Sequence, residues 1–163
     1  MTGKIVFFLT FLSALASGLI GGVLFAFSAF VMKALARLPV AQGIAAMQSI
    51  NVAAITPVFM AALFGTAVAC AVLAISALVR WHTPGAPYLL TGSLLYLMGP
   101  ILVTAVCNVP RNNALAAVDP ASADGAVLWA EYATSWTAWN HVRVVAAIAS
   151  AASLIMALLK SAR

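Results

Sequence analysis

Read for hydrophobic and polar positions, the chain falls into four charge-free apolar runs, residues 5–32, 38–79, 81–110 and 144–159, divided by short polar breaks. A helix rises about 1.5 Å per residue, so roughly 20 apolar residues cross a hydrocarbon core of about 30 Å. The first and third runs therefore predict one span each. The second is too long for one span and is punctuated by Pro39 and Pro57, which predicts a short re-entrant or interfacial helix over 39–51 and a span after it. The fourth run is short, so its span is drawn back to begin near Asn140. The expected fold is all-α: an integral membrane four-helix bundle forming a single domain, with spans at about 5–32, 52–79, 87–110 and 140–159 and both termini on one side.

Finer periodicities add packing and helix starts. Ala14, Gly18, Gly22 and Ala26 in the first span, and Ala61, Gly65 and Ala69 in the second, recur every four residues. Small residues at that spacing let helices approach closely in lipid, so both stripes are expected to face neighbours. In the short helix, Ile44, Gln48, Asn51 and Ile55 share a face. A new helix is expected to start at Asp119 with Pro120, or at Ser122 and Asp124, by N-capping. Unbroken from Gly125 to Lys160 it would reach about 54 Å, so it must bend, lean or project.

Composition settles the broad class. With 65% hydrophobic and 7% charged residues in 163, too few polar side chains exist to cover a water-soluble globule. The net charge of +5 is scattered, with no basic cluster. Such cations set membrane orientation and meet lipid headgroups, so membrane lipid is an expected partner and nucleic acid is not. Lys4, Arg80, Lys160 and Arg163 fall on the terminal side; Lys33, Arg37, Arg111 and Arg143 fall on the other, the last two at a candidate site. That balance favours cytoplasmic termini, and a bacterial inner membrane is the expected location. The triplet Ala14–Ala16 mimics a signal-peptidase site, but the apolar run around it is too long for a signal peptide. An uncleaved first span is expected. Cys70 and Cys107 have no metal or redox spacing.

Candidate chemistry concentrates in residues 129–143, which hold three of the four tryptophans, the only glutamate and one of the two histidines. An ionisable group at membrane depth costs about 2.5–3.5 kcal/mol or more unless paired or wetted, so polar groups kept there call for a reason. Trp129, Tyr132, Trp136, Asn140 and Arg143 fall on one helical stripe. An aromatic belt at the headgroups would explain the tryptophans. It does not explain Asn140 and Arg143. Asn108, Arg111, Asn112 and Asn113 crowd the end of the third run around Pro110, more polar groups than helix-end capping needs. Alternating span directions put Asn51, Asn108, Asn112, His141 and Arg143 at one membrane face and His82, a solvated turn residue, at the other. The bundle is thus expected to carry one polar mouth, formed by the 1–2 and 3–4 connections.

Three segments, GGVLFAFSAFVMKAL (21–35), NVPRNNALA (108–116) and Trp129-x6-Trp136-x3-Asn140-His141-Val142-Arg143, resemble the anthrone oxygenase-like family of small four-span membrane proteins. Most of its members have no assigned function. The resemblance implies oxidation of an anthrone to an anthraquinone by dioxygen without metal or flavin, and marks Asn108, Pro110, Asn112, Trp136, Asn140, His141 and Arg143. Arg111 stands where an apolar residue is expected, which leaves open a more acidic substrate.

An anthrone has an acidic C–H bond, and its enolate reacts with oxygen unaided. The chemistry needs a base, for which His141 is the candidate, and positive or N–H groups for the enolate oxygen, for which Arg143, Asn108 and Asn112 serve as one hydrogen-bonded cluster. Trp136, Asn140, Tyr132, Trp129, Asn51 and Phe27 are the candidates for holding a flat anthrone-like or phenolic polycycle. No cofactor is required. A metal is not expected, because His141 has no second histidine or cysteine at its face. The separation of His82 and His141 disfavours paired histidine ligation of a haem. The alternative is a non-enzymatic membrane protein that binds lipid, a small molecule or a partner, or transports; no intramembrane carboxylate relay favours transport. The expected partners are an apolar aromatic substrate, dioxygen and lipid, with a homo-oligomer left open.

Overall fold

The computed structural model describes residues 3–161, so Arg163 lies outside it. The described chain is all-helical: α1 (Gly3–Leu35), α2 (Val40–Ala53), α3 (Pro57–Val79), α4 (Ala86–Ala116) and α5 (Ala123–Ser161). All but α2 are long and apolar enough to cross a membrane, and they pack as a four-helix bundle. α5 lies between α1 and α4, and α3 closes the ring against both on the other side.

Helix starts follow side-chain caps. Thr56 Oγ1 accepts from the Phe59 N–H at 3.2 Å, with Pro57 in the first turn of α3. Of the three candidates for starting α5, Ser122 does so: its hydroxyl accepts from the Gly125 N–H at 3.0 Å and donates to Asp119 O at 2.7 Å. α5 then runs 39 residues without a break. At about 1.5 Å per residue it is far longer than a bilayer core, and its first turns precede the apolar run that marks its span. They are sheathed by α2 and the end of α4 in an apolar cluster of Met32, Leu35, Ile44, Met47, Leu115, Trp129, Tyr132 and Trp136. Gln48 ties this cap together, donating to Leu115 O at 2.8 Å and Val118 O at 3.1 Å, at and just past the end of α4.

Only part of the expected small-residue stripes faces neighbours: Ala14 is buried in the core. Gly18, Gly22 and Gly65 have open space where a side chain would stand, and Ala61 is exposed. The buried stripe of α1 is instead Thr10, Ser13, Ala14, Ser17, Ile20, Gly21, Leu24 and Ser28. The close approach lies between α4 and α5: a Cβ on Gly99 would stand 2.2 Å from Ala146 Cβ, and one on Gly92 would stand 2.9 Å from Leu154. Gly99→Leu is therefore expected to destabilise the protein by about 1–3 kcal/mol or more, as overpacking does, while Gly18→Leu is near neutral. Thermal unfolding in detergent reads the contrast, and equal losses would contradict this packing.

Two stretches, Phe27–Val31 in α1 and Leu97–Asn108 in α4, widen to π-helical geometry. In α4 the cause is local. Pro100 has no N–H to give the preceding turn and its ring crowds that turn's carbonyl. Such widenings re-aim side chains and recur at functional sites; here both supply residues that surround Arg143.

Candidate functional site

The site is built outward from α5. Trp136, Asn140 and Arg143, spaced by four and three residues, lie on the buried stripe of the helix. Asn140 is fully buried and its amide NH2 donates to Leu24 O and Ser28 Oγ, both at 2.7 Å. This fastens α5 to the widened turn of α1. Its carbonyl end then accepts from Arg143 Nη2 at 2.6 Å, and Thr104 Oγ1 accepts from Arg143 Nη1 at 3.1 Å. Thr104 in turn donates its hydroxyl to Pro100 O at 2.5 Å, the bond a threonine makes one turn back along a helix. The guanidinium carbon sits 5.1 Å from the centre of the Trp136 ring, within cation–π range.

Arg143 is only 6% exposed and all its hydrogen-bond partners are neutral. Its Nε–H is buried with no partner. The chain's acids are Asp119, Asp124 and Glu131, and among the described residues none reaches it. A buried cation without a counter-charge is the least comfortable group in such a bundle.

Trp136 is held from a second side. Its Nε1–H donates to Asn112 Oδ1 at 2.8 Å, and the Tyr132 hydroxyl donates to the same oxygen at 2.9 Å. Asn108 Nδ2 donates to Trp136 O at 3.3 Å. Trp129, Tyr132 and Trp136 stack in series, with centroids 5.7 and 6.2 Å apart, and Phe27 tilts against Trp136 at 5.7 Å.

A partly open cavity of about 350 Å3 lies against this assembly, between α1, α2, the start of α3, and the polar stretches of α4 and α5. Its walls are mostly aliphatic and aromatic. Its polar lining is Asn51, Thr56, Thr104, Asn112 and Arg143. Small-molecule sites commonly enclose about 300–1,000 Å3 with a few convergent polar groups. Two of the lining residues carry buried N–H donors with no partner, Arg143 at Nε and Asn51 at Nδ2.

The structure thus brings Arg143, Asn112, Trp136, Asn51 and Phe27 together around one space. Asn140 and Asn108 stand behind it as supports, and Trp129 and Tyr132 belong to the aromatic stack that backs Trp136. His141 is not brought in: it is exposed and lines none of the cavity. One residue past Asn140 turns the side chain by about 100° around the helix, so it cannot share the stripe of Asn140 and Arg143. The direct cluster of Asn108, Asn112 and Arg143 does not form either, because each of the three meets Trp136 instead. Of the two connections expected to form a polar mouth, the first lines the cavity through α2, and the second, expected over residues 111–139, lines it through Asn112 and Trp136, both inside helices. Asp119 and Ser122, between α4 and α5, are occupied instead in starting α5. Among the described residues no group of three or more His, Cys, Asp or Glu is placed to hold a metal ion.

Thr104, Ser28 and Met47 were not among the candidates. Thr104 had a legible signal, since a hydroxyl four residues before Asn108 falls on the same face of α4. Ser28 and Met47 had none, because their roles depend on how α1 and α2 are turned.

A family model described as anthrone oxygenase matches residues 56–153, more than half of the chain. The matched stretch contains Thr104, Asn108, Asn112, Trp136, Asn140 and Arg143 and excludes Phe27 and Asn51. No curated protein and no solved structure matches the chain.

Proposed function

This chain belongs to the anthrone oxygenase family, and from that premise we propose that it is a membrane-embedded oxygenase that oxidises an anthrone-like or phenolic polycycle with dioxygen, without a cofactor. The observation that carries the reading is Arg143, a buried guanidinium with neutral partners only, at the wall of an apolar cavity. A neutral flat substrate enters such a space readily. Once it becomes an anion, it supplies the counter-charge that Arg143 lacks.

That order of events is what favours the transition state over the substrate. The substrate loses a proton from the carbon opposite its ketone to a base reaching the cavity from water. The resulting negative charge on the ketone oxygen meets the Nε–H of Arg143 and the amide NH2 of Asn51, donors without a hydrogen-bond partner among the described residues. Preset donors of this kind act strongly where water is excluded. Dioxygen takes up the electron pair at the carbanionic carbon, forming a carbon–oxygen bond. The peroxide so formed gains a proton, then loses water as its oxygen–oxygen bond breaks and the remaining C–H proton leaves. One substrate and one dioxygen yield one quinone and one water. Trp136 and Phe27 offer ring faces for the polycycle, and Asn112 keeps Trp136 in place.

Purified protein in detergent, given an anthrone under air, should accelerate oxygen uptake and quinone formation in equal molar amounts. Extensive chelation should leave the rate unchanged, and His141→Ala should too, since the side chain faces away from the cavity. No acceleration over heat-denatured protein would defeat the proposal; loss of turnover in His141→Ala would defeat the assignment of the base to water. The cavity lining contains no carboxylate or imidazole, which favours one other reading, a carrier that binds planar aromatic anions without transforming them. Saturable binding of a quinone or phenolate with no oxygen uptake would establish it.

A further inference from the structure

At the other end of the bundle, we propose, the protein binds the headgroup of an anionic phospholipid. A cleft of about 370 Å3 opens there between the start of α1, the end of α3, the start of α4 and the end of α5. Arg80 and Lys160 line it, and among the described residues no carboxylate does. This is an imbalance of the whole molecule: Asp119, Asp124 and Glu131 all lie in the α4–α5 connection and the first turns of α5, at the far end. The cations of this end have no acidic residue nearby to neutralise them.

The two cations stand at the ends of α3 and α5 and share the cleft with Gly85 and Ala86 at the start of α4. The Ala86 N–H and the Thr83 hydroxyl are already spent on Thr83 O and Arg80 O, at 3.0 and 2.9 Å, so recognition of a phosphate falls to Arg80 and Lys160. The remaining lining is apolar, from Val6 and Phe7 of α1, Leu89 of α4 and Leu158 of α5. A soluble phosphate would use the rim alone. A phosphodiester bearing acyl chains uses both halves, with its chains lying along helices long and apolar enough to cross a membrane. The choline of a zwitterionic lipid would bring a third cation against Arg80 and Lys160, so an anionic headgroup is preferred.

The full chain, delipidated in a neutral detergent, is offered equal amounts of phosphatidylglycerol and phosphatidylcholine, and bound lipid is counted by native mass spectrometry. Retention should favour phosphatidylglycerol, and R80Q and K160Q should each reduce the preference roughly fivefold, since each cation contributes about one such factor near an anionic headgroup. Both positions are accessible to solvent, so the variants should fold, which their unfolding temperature checks. K33Q with R37Q removes the same charge at the opposite end and should leave the preference intact. An equal fall in that control would show adventitious surface attraction rather than a site. Displacement of the lipid by millimolar inorganic phosphate, or no preference in the wild-type protein, would overturn the proposal.

Discussion

Replacing Arg143 with alanine is expected to slow anthrone oxidation by about 10²–10³-fold, the loss found when one preset donor to a developing oxyanion is removed. The size follows from the surroundings. Arg143 is buried, its partners are neutral, and its Nε–H is unspent, so its charge is neither screened by water nor cancelled by an acid. Arg143→Lys should recover only part of the rate. An ammonium keeps the charge but lacks the planar fork that holds Asn140 Oδ1 and Thr104 Oγ1 while lying against Trp136. The rate of Arg143→Ala should climb as pH rises, because the substrate then ionises without help, whereas the wild-type protein should make the enolate at lower pH. Oxygen uptake and quinone absorbance measured across pH test this, and an alanine variant with wild-type turnover throughout would remove Arg143 from the mechanism.

What was legible in the sequence is the part that composition and single-helix phase determine. Charge-free runs locate four spans because few charged side chains interrupt an apolar helix at membrane depth. Trp136, Asn140 and Arg143 could be placed on one stripe because their spacing fixes their relative angle on any helix. The same reasoning, carried one residue further, separates His141 from them. Its chemistry suits a base, but the helix phase leaves it exposed and outside the cavity lining. Ends of helices were less legible. α4 passes Pro110 and reaches Ala116, beyond its apolar run, whereas the start of α5 was legible in the cap at Ser122. A helix is not obliged to stop where the hydrocarbon does when neighbours such as α2 sheathe it.

Absolute rotation of a helix was illegible. Gly18 and Gly22 of α1, spaced as a packing stripe, face outward, while Ser13, Ser17 and Gly21, spaced just as regularly, face the bundle. Alanine, glycine and serine are common enough in this chain that two faces of α1 carry the pattern, and periodicity cannot choose between them. The choice is made by tertiary contacts: Ser17 Oγ lies 3.4 Å from Ser150 Oγ on α5, and Asn140 reaches Leu24 O and Ser28 on the same face of α1. These contacts lie more than a hundred residues apart in sequence, so the cavity wall that α1 contributes becomes visible only in the folded chain.

The same contacts make Asn140 and Arg143 a pair whose loss should be strongly non-additive. Asn140→Leu strands the Arg143 Nη2 donor and the oxygens of Leu24 and Ser28, all three of which it now satisfies. Each stranded buried group costs about 1–3 kcal/mol, and a charged one more, so this variant should be severely destabilised. Arg143→Met strands less, chiefly the Asn140 carbonyl oxygen, and relieves the bundle of a buried cation, so its stability should stay near wild type although its activity is lost. In Asn140→Leu/Arg143→Met the uncompensated charge is gone. The double variant should therefore be more stable than Asn140→Leu alone, with a coupling of about 0.5–3 kcal/mol in a double-mutant cycle. Denaturant or thermal unfolding in micelles measures it, and activity falls in all three variants. If the two losses simply add, Asn140 is not what keeps Arg143 in the bundle, and the guanidinium's position must be set by Thr104 and Trp136 alone.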